Sequence, residues 1–179
     1  SPARGADSEG ADIGARPYAD DPTAGLQGTL DADLVLEAGV DHRIVGDLTV
    51  PAGRSLTIEP GAEVRFATSD GMEAGADRNR VELIVDGTVA MVGTDAPGER
   101  IVLRSANDVP GRAQWFGVRF LSGAHDLAHL DIRHGTNCVH VDGGASVTLD
   151  HVEVSDCSGT MVMAEEGSAV AASDTTLRD

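Results

Sequence analysis

The chain has 179 residues, enough for one domain with a sizeable core, and aromatic residues make up only 3% of it. Its 30 acidic residues face 13 basic ones, and the net charge of −17 argues against nucleic acids and anionic membrane surfaces as partners. Every basic residue is an arginine, which excludes lysine Schiff-base chemistry, and no segment approaches the roughly 20 apolar residues of a membrane-spanning helix.

The first 24 residues, SPARGADSEGADIGARPYADDPTA, are rich in Gly, Ala, Asp and Pro and show almost no apolar periodicity. Such a composition buries too little apolar surface to fold on its own. We therefore predict a disordered, acidic tail or linker over 1–24 and a folded domain over 25–179. The chain opens on Ser1 and not on Met, which fits a processed amino terminus and equally a cloning choice.

The folded part begins with very short apolar segments, best seen in residues 48–66, LTVPAGRSLTIEPGAEVRF. The segments LTV, LTI and VRF alternate in the manner of β-strands, and the corners between them contain Gly. Neither corner is a two-residue hairpin turn, so a strand finds no partner in its sequence neighbour. We expect each strand to pair with its equivalent in a later repeat, and LTI to lie beside LIV of residues 83–85.

Internal repeats support this arrangement. Residues 126–134 align with 148–156 at an offset of 22, and residues 144–156 align with 167–179 at an offset of 23. A unit of about 22–30 residues therefore recurs about five times, with three short strands and no helical stretch in each unit. The sequence predicts an all-β solenoid of about five coils, in which three parallel sheets enclose one elongated core.

Three segments carry a family resemblance: DLTVPAGRSLTIEPGAEVRF (47–66), LIVDGTVAMVGTDAPGERIVLRSA (83–106) and WFGVRFLSGA (115–124). Over residues 28–179 the chain resembles the secreted right-handed parallel β-helix repeat proteins of the pectate-lyase-like superfamily. The resemblance implies a right-handed coil and an extracellular, periplasmic or outer-surface location, with a signal peptide or lipid anchor since removed. It implies no single activity, because the family includes lyases, hydrolases, epimerases and adhesins.

The last repeat ends at Asp179 without a capping element. An open coil exposes unpaired strand edges, which invite pairing with another chain. We therefore expect either that the native chain continues or that a partner covers this end, through end-to-end or accessory-subunit assembly.

The predicted register places charged side chains in outward-facing columns on the third strand of each unit. Asp131 and Glu153 fall in one column, and Arg104 and Arg133 fall in the next. Because adjacent coils lie about 4.8 Å apart, the two carboxylates need a cation, a proton or an arginine nearby. Two interpretations stay open: an exposed salt-bridge ladder, or a Ca²⁺-binding or carbohydrate-facing strip. The resemblance implies that in an enzyme Asp131 and Glu153 hold Ca²⁺ while Arg133 or Arg104 abstracts a proton, although the further Asp ligands of such a site are missing.

A second candidate metal site lies on the loop of residues 67–79. Asp70, Glu73 and Asp77 have an acidic spacing similar to that of Ca²⁺ loops. They lack the D-x-[DN]-x-[DN]-G pattern, so an ordinary solvated loop is the alternative.

The repeat also places two residue pairs in neighbouring coils. His129 falls over His151, and the pair can bind a transition metal, although no third ligand is evident and plain stacking at the corner is the alternative. Cys138 and Cys157 lie too far apart along the chain for a zinc-binding pair. An extracellular protein would bridge them, and a cytosolic one would leave two buried thiols.

The sequence favours a non-catalytic protein: a structural or binding module, or a subunit of a larger extracellular assembly, whose partner is a protein or a polysaccharide at the cell surface. An enzyme needs an acid, a base and a metal in one groove, and only fragments of such a set occur. The alternative is a Ca²⁺-dependent polysaccharide lyase or another carbohydrate-active enzyme. We predict no resident cofactor, with Ca²⁺ as the one ion that the acidic groups would accept.

Overall fold

The computed structural model describes residues 25–179, and the predicted disordered segment 1–24 lies outside the described residues. Every regular element in the described part is a β-strand, which confirms the all-β class. Within these residues no helix is long and apolar enough to cross a membrane. The strands are β1 (Leu26–Thr29), β2 (Leu34–Leu36), β3 (His42–Val50), β4 (Ser55–Ile58), β5 (Glu63–Phe66), β6 (Glu82–Val85), β7 (Thr88–Val92), β8 (Ile101–Ser105), β9 (Gly117–Phe120), β10 (Ala124–Ala128), β11 (Leu130–Arg133), β12 (Val139–Val141), β13 (Ser146–Asp150), β14 (Glu153–Ser155), β15 (Val162–Ala164), β16 (Ala169–Ser173) and β17 (Thr176–Arg178).

All named strand pairs are parallel, and most join strands three places apart along the chain, as β10 joins β13. One sheet has eleven strands and the other has six. The long strand β3 pairs with β1, β5 and β6, so it joins two columns of strands that the sequence predicted as separate sheets. The parallel sheets curl into a half-barrel, which is compatible with a parallel β-helix or solenoid.

The register of the strand pairs confirms both internal alignments. Leu127 pairs with Leu149, as the alignment of residues 126–134 with 148–156 predicts. Val147 pairs with Val170, as the second alignment predicts. Successive repeats therefore lie directly on one another in this part of the chain.

One expected pairing was wrong, because LTI of β4 does not lie beside LIV of β6. Instead Leu56 of β4 pairs with Val89 of β7, and Leu83 of β6 pairs with Leu48 of β3. Partners in β4 and β7 lie much further apart along the chain than partners in β2 and β4. The loop of residues 67–80 enlarges this coil, so the strand that pairs with β4 lies further along the chain than the repeat length predicts.

Alternate residues of each strand point inward and fill an apolar core. Leu103 and Ile132 are 0% exposed. Burying such a side chain stabilises the fold by about 1.5–3 kcal/mol. Phe66 and Trp115 add a stacked aromatic pair whose ring centroids lie 3.8 Å apart. The last coil departs from this pattern, because Leu177 occupies the inward row but is 54% exposed.

The corners that follow β10, β13 and β16 adopt a left-handed backbone conformation. His129, His151 and Asp174 have φ values of 52°, 53° and 45°. His and Asp are among the few non-glycine residues that are enriched in this region. The His129 N–H donates to the Asp150 carbonyl at 3.0 Å, and the His151 N–H donates to the Ser173 carbonyl at 3.2 Å. These bonds fix the corners of three coils above one another, and with them the side chains that the corners carry.

Candidate functional site

The outward column on β11 and β14 brings Asp131 beside Glu153. Asp131 is 8% exposed. Its Oδ1 accepts hydrogen bonds from Arg100 Nε at 2.9 Å and Nη2 at 2.8 Å, and its Oδ2 accepts one from Arg133 Nη2 at 2.7 Å. Glu153 forms a longer ion pair with Arg178, at 3.5 Å. Two arginines therefore compensate the charge of Asp131, as in a salt-bridge ladder.

The neighbouring arginine column is longer than the sequence indicated. Arg43, Arg65 and Arg104 align across β3, β5 and β8. Arg104 Nη2 lies 2.7 Å from Glu63 Oε1, so it pairs with an acid other than Asp131. The hydrogen bond from Arg65 holds the pKa of Asp41 below its usual value. Arg65 and Arg104 therefore each form an ion pair with an acidic residue of a neighbouring coil.

The loop of residues 67–80 does not bring Asp70, Glu73 and Asp77 to one point. Asp70 is buried, and its carboxylate accepts hydrogen bonds from three backbone N–H groups, those of Asp47, Met72 and Ala74. Asp77 and Glu73 each face an arginine, at 2.6 Å and 3.8 Å respectively. Asp70 therefore shapes the loop, and the three carboxylates engage different partners.

Two carboxylates that the sequence analysis missed lie beneath this loop. Asp47 is 2% exposed and Glu82 is 0% exposed. The Glu82 N–H donates to Asp47 Oδ1 at 2.7 Å, and the Asp77 N–H donates to Glu82 Oε1 at 2.6 Å. Asp47 Oδ2 and Glu82 Oε2 are buried without a hydrogen-bond partner. Burial raises the pKa of Asp47 to about 6 and also raises the pKa of Glu82.

The register explains why these two carboxylates meet. Leu48 pairs with Leu83, so the residues before them, Asp47 and Glu82, occupy equivalent outward positions in adjacent coils. Gly75 of the loop packs against both, and a Cβ there would lie 2.7 Å from Asp47 Oδ2 and Glu82 Oε1. The signal in the sequence was an acid before each paired leucine. The wrong partner assigned to β6 concealed it.

The corner histidines, His129 and His151, stack with ring centroids 4.8 Å apart and planes inclined by 27°. A third group that the sequence analysis did not find, Asp150, places its Oδ1 3.0 Å from His151 Nδ1. One ligand atom from each of the three side chains lies within 4.8 Å of the others. Hydrogen bonds from Ser173 and His151 lower the pKa of Asp150, and the same Asp150–His151 contact raises the pKa of His151. This corner brings two imidazoles and a carboxylate together.

The two cysteines are joined. Cys138 and Cys157 form a disulfide with their Cα atoms 6.2 Å apart. Both residues are buried, at 0% and 1% exposure, so the bridge ties two successive coils from within the core. A disulfide of this kind is typical of proteins in oxidising compartments.

Compared with known proteins, the chain matches no family model, no curated protein and no solved structure. Three features of the described residues can carry chemistry: the salt-bridge ladder around Asp131, the buried pair Asp47 and Glu82, and the corner of His129, Asp150 and His151.

Proposed function

We propose that the chain is a non-catalytic structural or binding module, secreted or held in the cell envelope. The observation that carries the proposal is the state of Asp131, which is buried and accepts hydrogen bonds from Arg100 and Arg133 on both oxygens. A Ca²⁺-dependent lyase needs the reverse: carboxylate oxygens free for an ion with about 6–8 ligands, and an arginine free to take a proton. The salt-bridge ladder around Asp131 therefore favours a structural role for this outer surface.

We propose further that the solenoid is a right-handed parallel β-helix. Three columns of strands each receive one strand per repeat, in the orders β4-β7-β10-β13-β16, β5-β8-β11-β14-β17 and β6-β9-β12-β15. A chain that returns to the same sheet in a parallel direction makes a crossover, and about 98% of such crossovers are right-handed. The parallel register and this preference together support the handedness that the family resemblance implies.

The Cys138–Cys157 disulfide supports an extracellular, periplasmic or outer-surface location. Reducing conditions in the cytosol keep most thiols unpaired, whereas secreted proteins retain such bridges. Both cysteines of the chain take part in this bond.

A protein is a better-supported partner than a polysaccharide. Bound sugars commonly stack on exposed aromatic rings, but every Phe and Trp in the described residues is buried. The last coil offers a different surface. Strands β15, β16 and β17 each pair on one side only, and Leu177 is 54% exposed. Unpaired strand edges beside an apolar side chain favour docking of another strand-rich surface, either a further coil of the native chain or a partner protein.

The proposal is tested by incubating the protein with acidic and neutral polysaccharides, with Ca²⁺ and with a chelator. Retention of polymer and the appearance of new unsaturated or reducing ends are both measured. We expect no new ends. Ends that appear with Ca²⁺ and vanish in Arg133→Ala, but persist in Arg178→Ala from the same column, would overturn the proposal and establish the lyase.

The docking surface is tested by capture of partners from the culture or envelope fraction of the source. Leu177→Arg adds a charge on the apolar row, and Thr176→Arg is the matched control, since this neighbour on β17 belongs to the outward column. We expect one partner to be lost with Leu177→Arg and kept with Thr176→Arg. Equal capture by both variants would contradict docking at this coil.

A further inference from the structure

The corner of His129, Asp150 and His151 gathers side chains from consecutive coils and from one inserted loop. His129 follows β10, and Asp150 and His151 lie one coil further on. At the preceding corner the chain leaves the repeat through residues 94–100, and this loop carries Asp95 to within 2.9 Å (Oδ1) of His129 Nδ1. The convergence therefore combines the stacked rows with a segment that lies outside them.

The imidazole of His129 is not fully accounted for by ordinary structural contacts. The His129 Nδ1 is buried and makes no hydrogen bond of acceptable geometry, although the Asp95 carboxylate lies beside it. The side chains of Asp150 and His151 are 44% and 42% exposed, so both can rotate without disturbing the core. Stacking alone would need no carboxylate at this corner, yet carboxylates approach both rings.

The local charge is strongly negative. Asp95, Asp150 and Asp174 each act on His151 through their charges. With both imidazoles neutral, the carboxylates of Asp95, Asp150 and Asp174 carry about three negative charges. Among the described residues no arginine donates to these carboxylates, although Arg100 donates to the backbone carbonyl of His151 at 3.0 Å. A divalent cation would offset the repulsion between these carboxylates, because charges a few ångströms apart interact strongly.

We infer that this corner binds a divalent transition-metal ion of the zinc class, with His129, His151 and Asp150 as protein ligands. Imidazole nitrogen and carboxylate oxygen together suit Zn²⁺ and its neighbours, whereas Ca²⁺ and Mg²⁺ prefer oxygen ligands alone. Bond lengths of about 2.0–2.1 Å place tetrahedral ligand atoms roughly 3.4 Å apart. The three ligand atoms, now within 4.8 Å of one another, need to approach by up to about 1.4 Å, which rotation of the half-exposed His151 and Asp150 supplies.

The metal joins ligands from two successive coils, and Asp95 from the preceding loop adds charge beside His129. Binding therefore stabilises the stack of coils at its corner. With the ion at about 100 times its dissociation constant, we expect the melting temperature to rise by about 5–10 °C.

The test uses the full chain without an affinity tag, stripped with a chelator and titrated with Zn²⁺ by calorimetry at about pH 7.5, where free imidazoles are mostly neutral. Co²⁺ is titrated in parallel, because its visible absorption reports tetrahedral nitrogen and oxygen coordination. His129→Asn and His151→Asn remove one ligand each and keep a residue that tolerates the left-handed corner. His134→Asn is the matched control, since His134 also lies at a left-handed corner (φ 68°) but outside the cluster.

We expect one Zn²⁺ per chain, weakened about tenfold or more in His129→Asn, His151→Asn and Asp150→Asn and unchanged in His134→Asn. Asp150→Asn keeps the shape of the side chain and covers the case in which a histidine variant fails to fold. Absence of saturable binding to the unaltered protein would overturn the inference. So would an affinity that the ligand variants leave unchanged, or one that His134→Asn lowers equally.

Discussion

Replacement of Asp47 by asparagine is expected to stabilise the protein at neutral pH. Burial raises the pKa of Asp47 from 3.8 to about 6 in the folded chain. Between these two values the folded chain holds a proton that the unfolded chain has released, so the free energy of unfolding falls as the pH rises. Above about pH 6 the folded protein keeps a charged Asp47 next to Glu82, with an oxygen that lacks a hydrogen-bond partner.

The magnitude follows from the pKa difference. A shift of about two units corresponds to about 3 kcal/mol at about pH 7.5, because one unit is about 1.36 kcal/mol. An asparagine at position 47 keeps an oxygen that accepts the Glu82 N–H, and it removes the charge that repels the Glu82 carboxylate. We expect a gain of about 1–3 kcal/mol at about pH 7.5, which shrinks to about 0.5 kcal/mol at about pH 4. In a chain of this size the gain at neutral pH raises the melting temperature by about 2–12 °C.

The assay is equilibrium unfolding in urea at about pH 7.5 and about pH 4, on either side of the folded-state pKa. Asp131→Asn is the control, because Asp131 is also buried but is held by Arg100 and Arg133. Its loss leaves both arginines without their carboxylate and is expected to destabilise by about 1–3 kcal/mol at neutral pH. If Asp47→Asn is no more stable than the unaltered protein at neutral pH, or gains equally at both pH values, the reasoning from the buried charge is wrong.

Two further substitutions test the loop and the core. Gly75→Ala is expected to lower the free energy of unfolding by about 1–3 kcal/mol, because φ is +64° and the new methyl would meet Asp47 and Glu82. In thermal denaturation Gly39→Ala is its control, since φ is +76° there but nothing lies within 4 Å, and equal losses would exclude the carboxylate contact as the cause. Leu103→Ala is expected to cost about 2–5 kcal/mol in urea unfolding, and Leu177→Ala less than about 1 kcal/mol. Similar losses for the two would contradict the exposure of the last coil.

Much of the fold could be predicted because each repeat stacks in parallel on the one before it, so equivalent residues of successive repeats lie side by side. Leu127 and Leu149 pair where the alignment placed them, since period-two alternation fixes which side chains face the core. The predicted pairing of β4 was wrong because a loop interrupts the repeat there. The loop of residues 67–80 separates β4 from β7, and spacing alone could not show which of two apolar segments lay beside β4.

The candidate sites were predicted unevenly for the same reason. Asp131 beside Glu153 follows from the repeat offset, and so does His129 beside His151. The repeat offset says nothing about which partner a long side chain selects. Arg104 pairs with Glu63 on β5, a choice that depends on side-chain reach and on the neighbouring coil. The repeat therefore predicts where the side chains lie along the stack, but it does not predict which hydrogen bonds and ion pairs they form.

Both unusual clusters lie beside an inserted loop. The loop of residues 67–80 covers Asp47 and Glu82, and the loop of residues 94–100 brings Asp95 to His129. A strict repeat sets equivalent side chains at one spacing, so their charges form rows that arginines can compensate, as along the ladder. At each inserted loop a group from outside the rows joins the stacked side chains: the Asp77 N–H at Glu82, and the Asp95 carboxylate at His129. We therefore expect ion-binding chemistry to concentrate beside these two inserted loops, with the regular coils acting as the rigid frame that holds it.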